Sequence, residues 1–347
     1  MHVMNRSRIP LAACASLAAS VLLVAACGML DAAPATPTDG PVAGGAPTGK
    51  VSAGKPLLLL ACLDDPAFYA AVRSMNMNAA RCLVIYQQSG ETNGRFDESK
   101  LRGEIGRLIP ADYDGHAVLD FEEPWVGYLK KQPGTPEFTQ GEQAMLRVLA
   151  TAHAVRPNVK WTMYGIPSLP FFVNGPGGSV VGWDKGTKQS EDAQLEIARR
   201  AQPIVNACDW VSPSIYSPYL YSTNPEWTEA TPAYAKANTA VALEMAKGKP
   251  VFPMVWHRVH DSNRKDALKI IPDSQFMQGQ VTPALQAGAA GVVWWGADQY
   301  LARVGKLPET QGGGTAAAAS APRSTAATEQ QILDAHVKKL QAMKQAF

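Results

Sequence analysis

The chain has 347 residues, 46% of them hydrophobic and 18% charged, with a formal net charge of +2. That apolar fraction can bury a sizeable core, which excludes a wholly disordered chain. Arg6 and Arg8 lie in a leader-like segment, so the remainder of the chain is neutral and has no general field to attract nucleic acid; no nucleic-acid partner is expected.

Taken in chain order, residues 1–26 read as a signal peptide: Arg6 and Arg8 precede an uncharged, Ala-rich apolar run at 11–24, followed by small residues. Val24-Ala25-Ala26-Cys27 is similar to a bacterial lipobox, which implies lipid attachment at Cys27 as the new N-terminus. Residues 28–55 are a Pro, Gly, Ala and Thr tether without apolar periodicity. The expected location is therefore extracytoplasmic, on a bacterial membrane through a lipid anchor. Gly28 after the cysteine, rather than Asp, makes that the outer membrane.

From residue 56 the pattern changes. Short apolar runs at 57–62, 82–86, 117–121, 159–164, 210–216, 251–256 and 291–295 predict strands. Amphipathic stretches at 66–75, 98–108, 141–155, 191–205, 232–246 and 274–287 predict helices. The runs are almost continuously hydrophobic, as parallel strands covered on both faces are. Strand–helix alternation over one domain, 56–347, predicts an α/β fold, a (β/α)7-type TIM-like barrel. A doubly wound open sheet would want G-x-G-x-x-G after its first strand, and none follows. Residues 311–328 form a low-complexity loop. Ile332, Leu333, Val337, Leu340 and Met343 then restore helical spacing for a last helix. Of five cysteines, Cys62, Cys82 and Cys208 remain after the leader and the lipid site; they fit no metal spacing and read as buried single thiols.

In such barrels chemistry sits at the C-terminal ends of the strands. The predicted third strand ends Asp120-Phe121-Glu122-Glu123, the fourth at Tyr164 and the fifth in Ser212-Pro213-Ser214-Ile215-Tyr216. The sixth ends Trp256-His257-Arg258 and the seventh Trp294-Trp295-Gly296. Asp120 and Glu122, two apart on a strand, point to one side. If that side is the interior, the two carboxyls cannot both ionise cheaply, and one becomes a proton donor near neutral pH. Glu123 points away, as a helix-start or salt-bridge residue. Tyr164, Tyr216 and Trp295 can stack on sugar, and Arg258 with His257 can hold an anionic substrate or form a polar rim. His260 and Asp261 resemble a metal or base pair but lack a third ligand. A Ser-His-Asp hydrolase would want G-x-S-x-G, which is absent. No metal and no cofactor is expected.

Four collinear stretches carry a resemblance. Residues 108–123, Leu-Ile-Pro-Ala-Asp-Tyr-Asp-Gly-His-Ala-Val-Leu-Asp-Phe-Glu-Glu, resemble the central motif of the hyaluronidases, glycoside hydrolase family 56. Residues 161–167, 212–216 and 289–296 resemble that family's W-G-x-Y-G-x-P, P-S-I/V-Y and A-A-G-V-V-x-W-G in the same order. The resemblance implies a seven-stranded β/α barrel. Glu122 would be the general acid/base and Asp120 its partner. Tyr164, Tyr216 and Trp295 would surround an N-acetyl group that itself supplies the nucleophile, with retention of configuration. The chain departs from the family after the acid, where Glu123-Pro124-Trp125-Val126 stands for W-R-P, and in lacking its cysteine framework.

The expectation is thus a glycosidase, hyaluronidase-like and endo-acting, that cleaves a polysaccharide at an N-acetylhexosamine linkage. Alternatives are a peptidoglycan- or chitin-directed N-acetylhexosaminidase and a non-catalytic sugar-binding envelope lipoprotein; retention of both Asp120 and Glu122 argues against the last.

Overall fold

The computed structural model describes residues 54–62, 65–303, 306–307 and 326–347. The leader, Cys27, most of the tether and nearly all of the low-complexity loop lie outside them. Among the described residues no helix is long and apolar enough to cross a membrane.

Six parallel strands form a curled sheet. In chain order they are Leu57–Ala61, Ala79–Tyr86, His116–Asp120, Lys160–Met163, Met254–Trp256 and Gly291–Trp295, with Leu57–Ala61 hydrogen-bonded to both Ala79–Tyr86 and Gly291–Trp295. Leu57 to Ala61 are all buried, because helices cover one face of the strand and the barrel interior fills the other. The strand tolerates no side chain at position 291 opposite it: a Cβ on Gly291 would fall on the Leu57 carbonyl. Gly296 is likewise required, since a Cβ there would stand 2.6 Å from His336 Nε2 and 2.7 Å from Cys62 Sγ.

The segment 210–216 lies between the fourth and sixth positions of the ring, and it is not the continuous strand its hydrophobicity predicts. It makes single parallel bridges instead, Ser212 to Tyr164 on one side, Val211 to Val251 and Ser214 to Met254 on the other. Pro213 explains the break, because it has no N–H to give. The Ser212 hydroxyl donates to the Phe252 carbonyl at 3.1 Å, and the Thr162 hydroxyl donates to the Trp210 carbonyl at 2.7 Å. These bonds add to main-chain ones that already join the fifth position to its neighbours, among them Val211 N–H to the Pro250 carbonyl, Met254 N–H to Pro213 and Gly165 N–H to Ser212. Pro250 and Pro253 similarly shorten the sixth run from the predicted 251–256 to Met254–Trp256.

Helices alternate with the strands. Asp65 caps Pro66–Ser74 by accepting from Ala67 N–H at 2.7 Å. Thr135 caps Pro136–Val155, which starts five residues earlier than its apolar periodicity indicates. The predicted 191–205 is two helices, Lys188–Arg199 and Gln202–Ala207, the second restarted by Pro203 at its first turn. The predicted 274–287 is α-helical at Asp273–Phe276 and Thr282–Gln286 with a π-turn at Met277–Val281 between. Pro283 withholds the N–H that an unbroken helix needs there. The tail helix Ala326–Met343 packs against Pro66–Ser74, as a last barrel helix does. Cys62, Cys82 and Cys208 are free thiols.

Candidate active site

The strand His116–Asp120 delivers Asp120 to the C-terminal mouth of the barrel, and Glu122 follows two residues on. Phe121 between them turns the other way and is buried in the layer beneath the helices. The backbone here has left the sheet ladder and is held by Gln87, directly after the second strand. Gln87 Oε1 accepts the Glu122 N–H at 2.8 Å, and its Nε2 donates to the Glu123 carbonyl at 3.0 Å and to the Glu91 carboxylate at 2.6 Å. Glu123 is exposed, beside the first turn of the helix Trp125–Leu129.

Burial pushes the Asp120 carboxyl well above its ordinary range, and the neighbouring Glu122 charge pushes it further. Burial also raises Glu122, with Asp261 and Glu123 adding to the effect, against a hydrogen bond from Asp120 that lowers it. Two crowded, poorly hydrated carboxyls cannot both ionise cheaply, so one of the pair holds its proton to higher pH than a free carboxyl does. This is the electrostatic arrangement of a general acid that turns over to a base.

Aromatic rings wall the pair. The Tyr164 hydroxyl donates to Ser214 Oγ at 3.2 Å, and its ring centre lies 6.0 Å from that of Tyr216. Tyr216 stacks on Trp295 at 5.8 Å and 12°. Trp256 approaches Trp295 at 4.6 Å, and Trp295 Nε1 donates to the Tyr86 hydroxyl at 3.2 Å. Burial, then the nearby phenols and carboxylates, raise the Tyr164 and Tyr216 hydroxyls well above their usual range, so both stay protonated as donors. The fold thus gathers Asp120, Glu122, Tyr164, Tyr216 and Trp295 at one mouth.

It does not gather Arg258 with them. Arg258 is 2% exposed and turned outward, with Nε and Nη2 on the two Asp298 oxygens at 2.9 and 2.8 Å and Nη1 on the Leu268 carbonyl at 2.7 Å. An anion-binding role for Arg258 loses its physical basis, because the guanidinium is spent on a buried carboxylate. His257 joins the same network, its Nε2 3.3 Å from Asp298, and Trp294 Nε1 donates to its Nδ1 at 3.1 Å. Burial alone would raise Asp298, but the bonds from Arg258 and His257 hold it well below the usual carboxylate range.

His257, Asp298 and His336 lie close enough together to suggest a metal site. They do not fit one. Both Asp298 oxygens are taken by Arg258. The bond from Trp294 puts the His257 proton on Nε2, the atom that would have to bind, and a fixed guanidinium charge sits alongside. His260 and Asp261 lie elsewhere; His260 Nδ1 sits 2.9 Å from the Ser262 hydroxyl, and its ring faces Tyr216 at 6.1 Å.

Sequence reasoning missed Gln87 and gave no role to Tyr86, Ser214 or Trp256. All four stand at strand ends, so the rule that picked out Glu122 reaches them too. What the rule lacks is a way to weigh one polar or aromatic residue against another.

No protein-family model matches the chain, and no curated protein matches it. Among solved structures it is similar to bee venom hyaluronidase, with a TM-score of 0.54 at 12% identity over 84% of this chain and 99% of that one. The same venom enzyme in complex with a hyaluronic acid tetramer gives 0.54 at 14% identity with the same coverage. At such identities the likeness is one of fold.

Proposed function

We propose that the chain is a glycoside hydrolase that cleaves a polysaccharide at an N-acetylhexosamine linkage by retaining, substrate-assisted catalysis. The observation that carries this reading is the crowded Asp120–Glu122 pair at a strand end, beside Tyr164, Tyr216 and Trp295 packed ring against ring. Glu122 gives its proton to the glycosidic oxygen as the bond to the anomeric carbon breaks. The substrate's acetamide oxygen closes on that carbon, and Asp120 steadies the positive charge that develops. Water then opens the cyclic intermediate, losing a proton to Glu122. Tyr216, stacked on Trp295, lies within electrostatic reach of both carboxyls, and in this reading the substrate's acetamide takes the place of the enzyme nucleophile of a two-carboxylate mechanism. Holding the acetamide in a near-attack position is work that such stacked rings can do.

The first polymer to try is hyaluronan, the ligand class of the venom enzyme. A second reading, an uncharged N-acetylhexosamine polymer of the chitin or peptidoglycan kind, is favoured by the commitment of Arg258 to Asp298, which takes the expected cation away from an anionic chain. Product stereochemistry tests the mechanism for either polymer. Early proton NMR is expected to show the retained anomer, and de-N-acetylated substrate is expected to resist cleavage. An inverted product, or equal cleavage of both polymers, would mean that water attacks directly.

We also propose lipid attachment at Cys27, with residues 28–55 as a leash of root-mean-square reach roughly 30 Å. Cys27→Ser is expected to move the protein from the membrane to the soluble fraction with its turnover intact. Absence of lipid label on the wild-type chain would overturn the anchor.

A further inference from the structure

Two buried polar side-chain atoms of the pocket have no hydrogen-bond partner among the described residues, Asp120 Oδ1 and Trp256 Nε1. Asp120 is accounted for by its place in the catalytic pair. Trp256 is not. It ends the strand Met254–Trp256, is 3% exposed, and faces the barrel interior, with ring centres 5.6 Å from Tyr216 and 4.6 Å from Trp295. Its main chain is fully satisfied: Gln280 accepts its N–H and donates to its carbonyl, both at 3.0 Å. Four other buried indoles donate to a protein acceptor: Trp161 to the Arg156 carbonyl, Trp183 to Pro170, Trp210 to Lys160 and Trp294 to His257. A buried donor left without a partner is rare in a folded protein, because its lost hydration is not returned.

We propose that Trp256 Nε1–H is a substrate-binding donor of this pocket, taking a neutral oxygen, hydroxyl or amide carbonyl, of the sugar seated against Tyr216 and Trp295. An indole only donates, so the ligand atom is an acceptor. The Asp120–Glu122 pair close by disfavours an anionic one. The identity of the ligand as an N-acetylhexosamine rests on the hydrolase reading; the need for an acceptor does not.

The test is Trp256→Phe, which keeps an aromatic ring and removes the N–H. Replacing Trp256 by 3-benzothienylalanine serves as a second variant that keeps the full ring shape. Hydrolysis is measured on the polymer panel, binding on a Glu122→Gln background by calorimetry with hyaluronan tetrasaccharide and chitin oligomers, and stability by thermal unfolding. Both variants are expected to raise KM or Kd roughly ten-fold, the scale of one neutral hydrogen bond. The sulfur isostere should melt no lower than wild type, since the donor bonds to none of the described residues. Wild-type affinity and turnover in the isostere would overturn the proposal and leave the hydrolase reading standing. A chain that cleaves nothing but binds oligosaccharide, more weakly in both variants, would keep the proposal and overturn the hydrolase. A wild type that neither binds nor cleaves would overturn both.

Discussion

Glu122→Gln is expected to cut polysaccharide hydrolysis by about a hundred- to ten-thousand-fold, the usual loss when a positioned general acid is removed. The same change is expected to raise the melting temperature at neutral pH. The sign follows from the direction of the shifts. Asp120 and Glu122 both ionise at higher pH in the folded chain than in the unfolded one, so the folded state binds the extra protons. Their contribution to stability is complete below the unfolded carboxyl range and is lost as pH rises through the folded values. At neutral pH the wild-type chain therefore bears a cost of crowded, poorly hydrated carboxyls, and a neutral amide at position 122 relieves its share. The stabilisation should be larger at pH 8 than at pH 5. Thermal unfolding across that range, alongside reducing-end release, checks both halves. An active, folded variant would remove Glu122 from catalysis, and a lower melting temperature at pH 8 would show the carboxylate to be held by stabilising contacts. A site that is less stable than the fold requires is a common feature of catalytic pockets.

Asp298→Ala is expected to destabilise the chain by about 3–5 kcal/mol, the scale for removing one partner of a buried ion pair. At about 2–4 °C per kcal/mol this lowers the melting temperature by roughly 10 °C. Asp298 is 1% exposed and receives Arg258 through two nitrogens and His257 through a third. Without it the buried guanidinium loses the carboxylate that both Nε and Nη2 engage. The double change Arg258→Met with Asp298→Leu should recover much of the loss, because an apolar pair avoids the desolvation cost that the ion pair offsets. Denaturant unfolding of the two variants measures this, and a near-wild-type Asp298→Ala would mean that the pair is worth little. Activity per folded molecule should survive at low temperature, since neither residue lines the pocket.

The two predictions fall on opposite sides of the same strand ends, and the difference between them marks how far the sequence reads. Strand alternation is local, so Asp120 and Glu122 facing one way, with Phe121 facing the other, follows from their spacing alone. The near-continuous apolar runs likewise imply a parallel sheet covered on both faces, and the rule that chemistry lies at strand ends brings Tyr164, Tyr216 and Trp295 into view. Proline was legible as a breaker, yet hydrophobicity outweighed it at 210–216. There single bridges join the ring, supplemented by the hydroxyls of Ser212 and Thr162, which hydropathy does not register.

Arg258 shows what local pattern cannot reach. Its neighbours in sequence are the apolar end of a strand and His257, which suit a polar rim as well as a buried pair. Its fate is decided by Asp298, 40 residues on, and by His336 on the tail helix, which stacks on Trp294 behind the strand. The same is true of Trp256. The sequence places an indole at a strand end, but only the packed molecule shows that no acceptor among the described residues meets its N–H. Periodicity, charge and strand-end position are properties of a few consecutive residues and determine the barrel and the carboxyl pair. Which polar groups meet a partner is decided by contacts between residues far apart in the chain, because a buried donor or charge is stable only with whatever the fold sets against it.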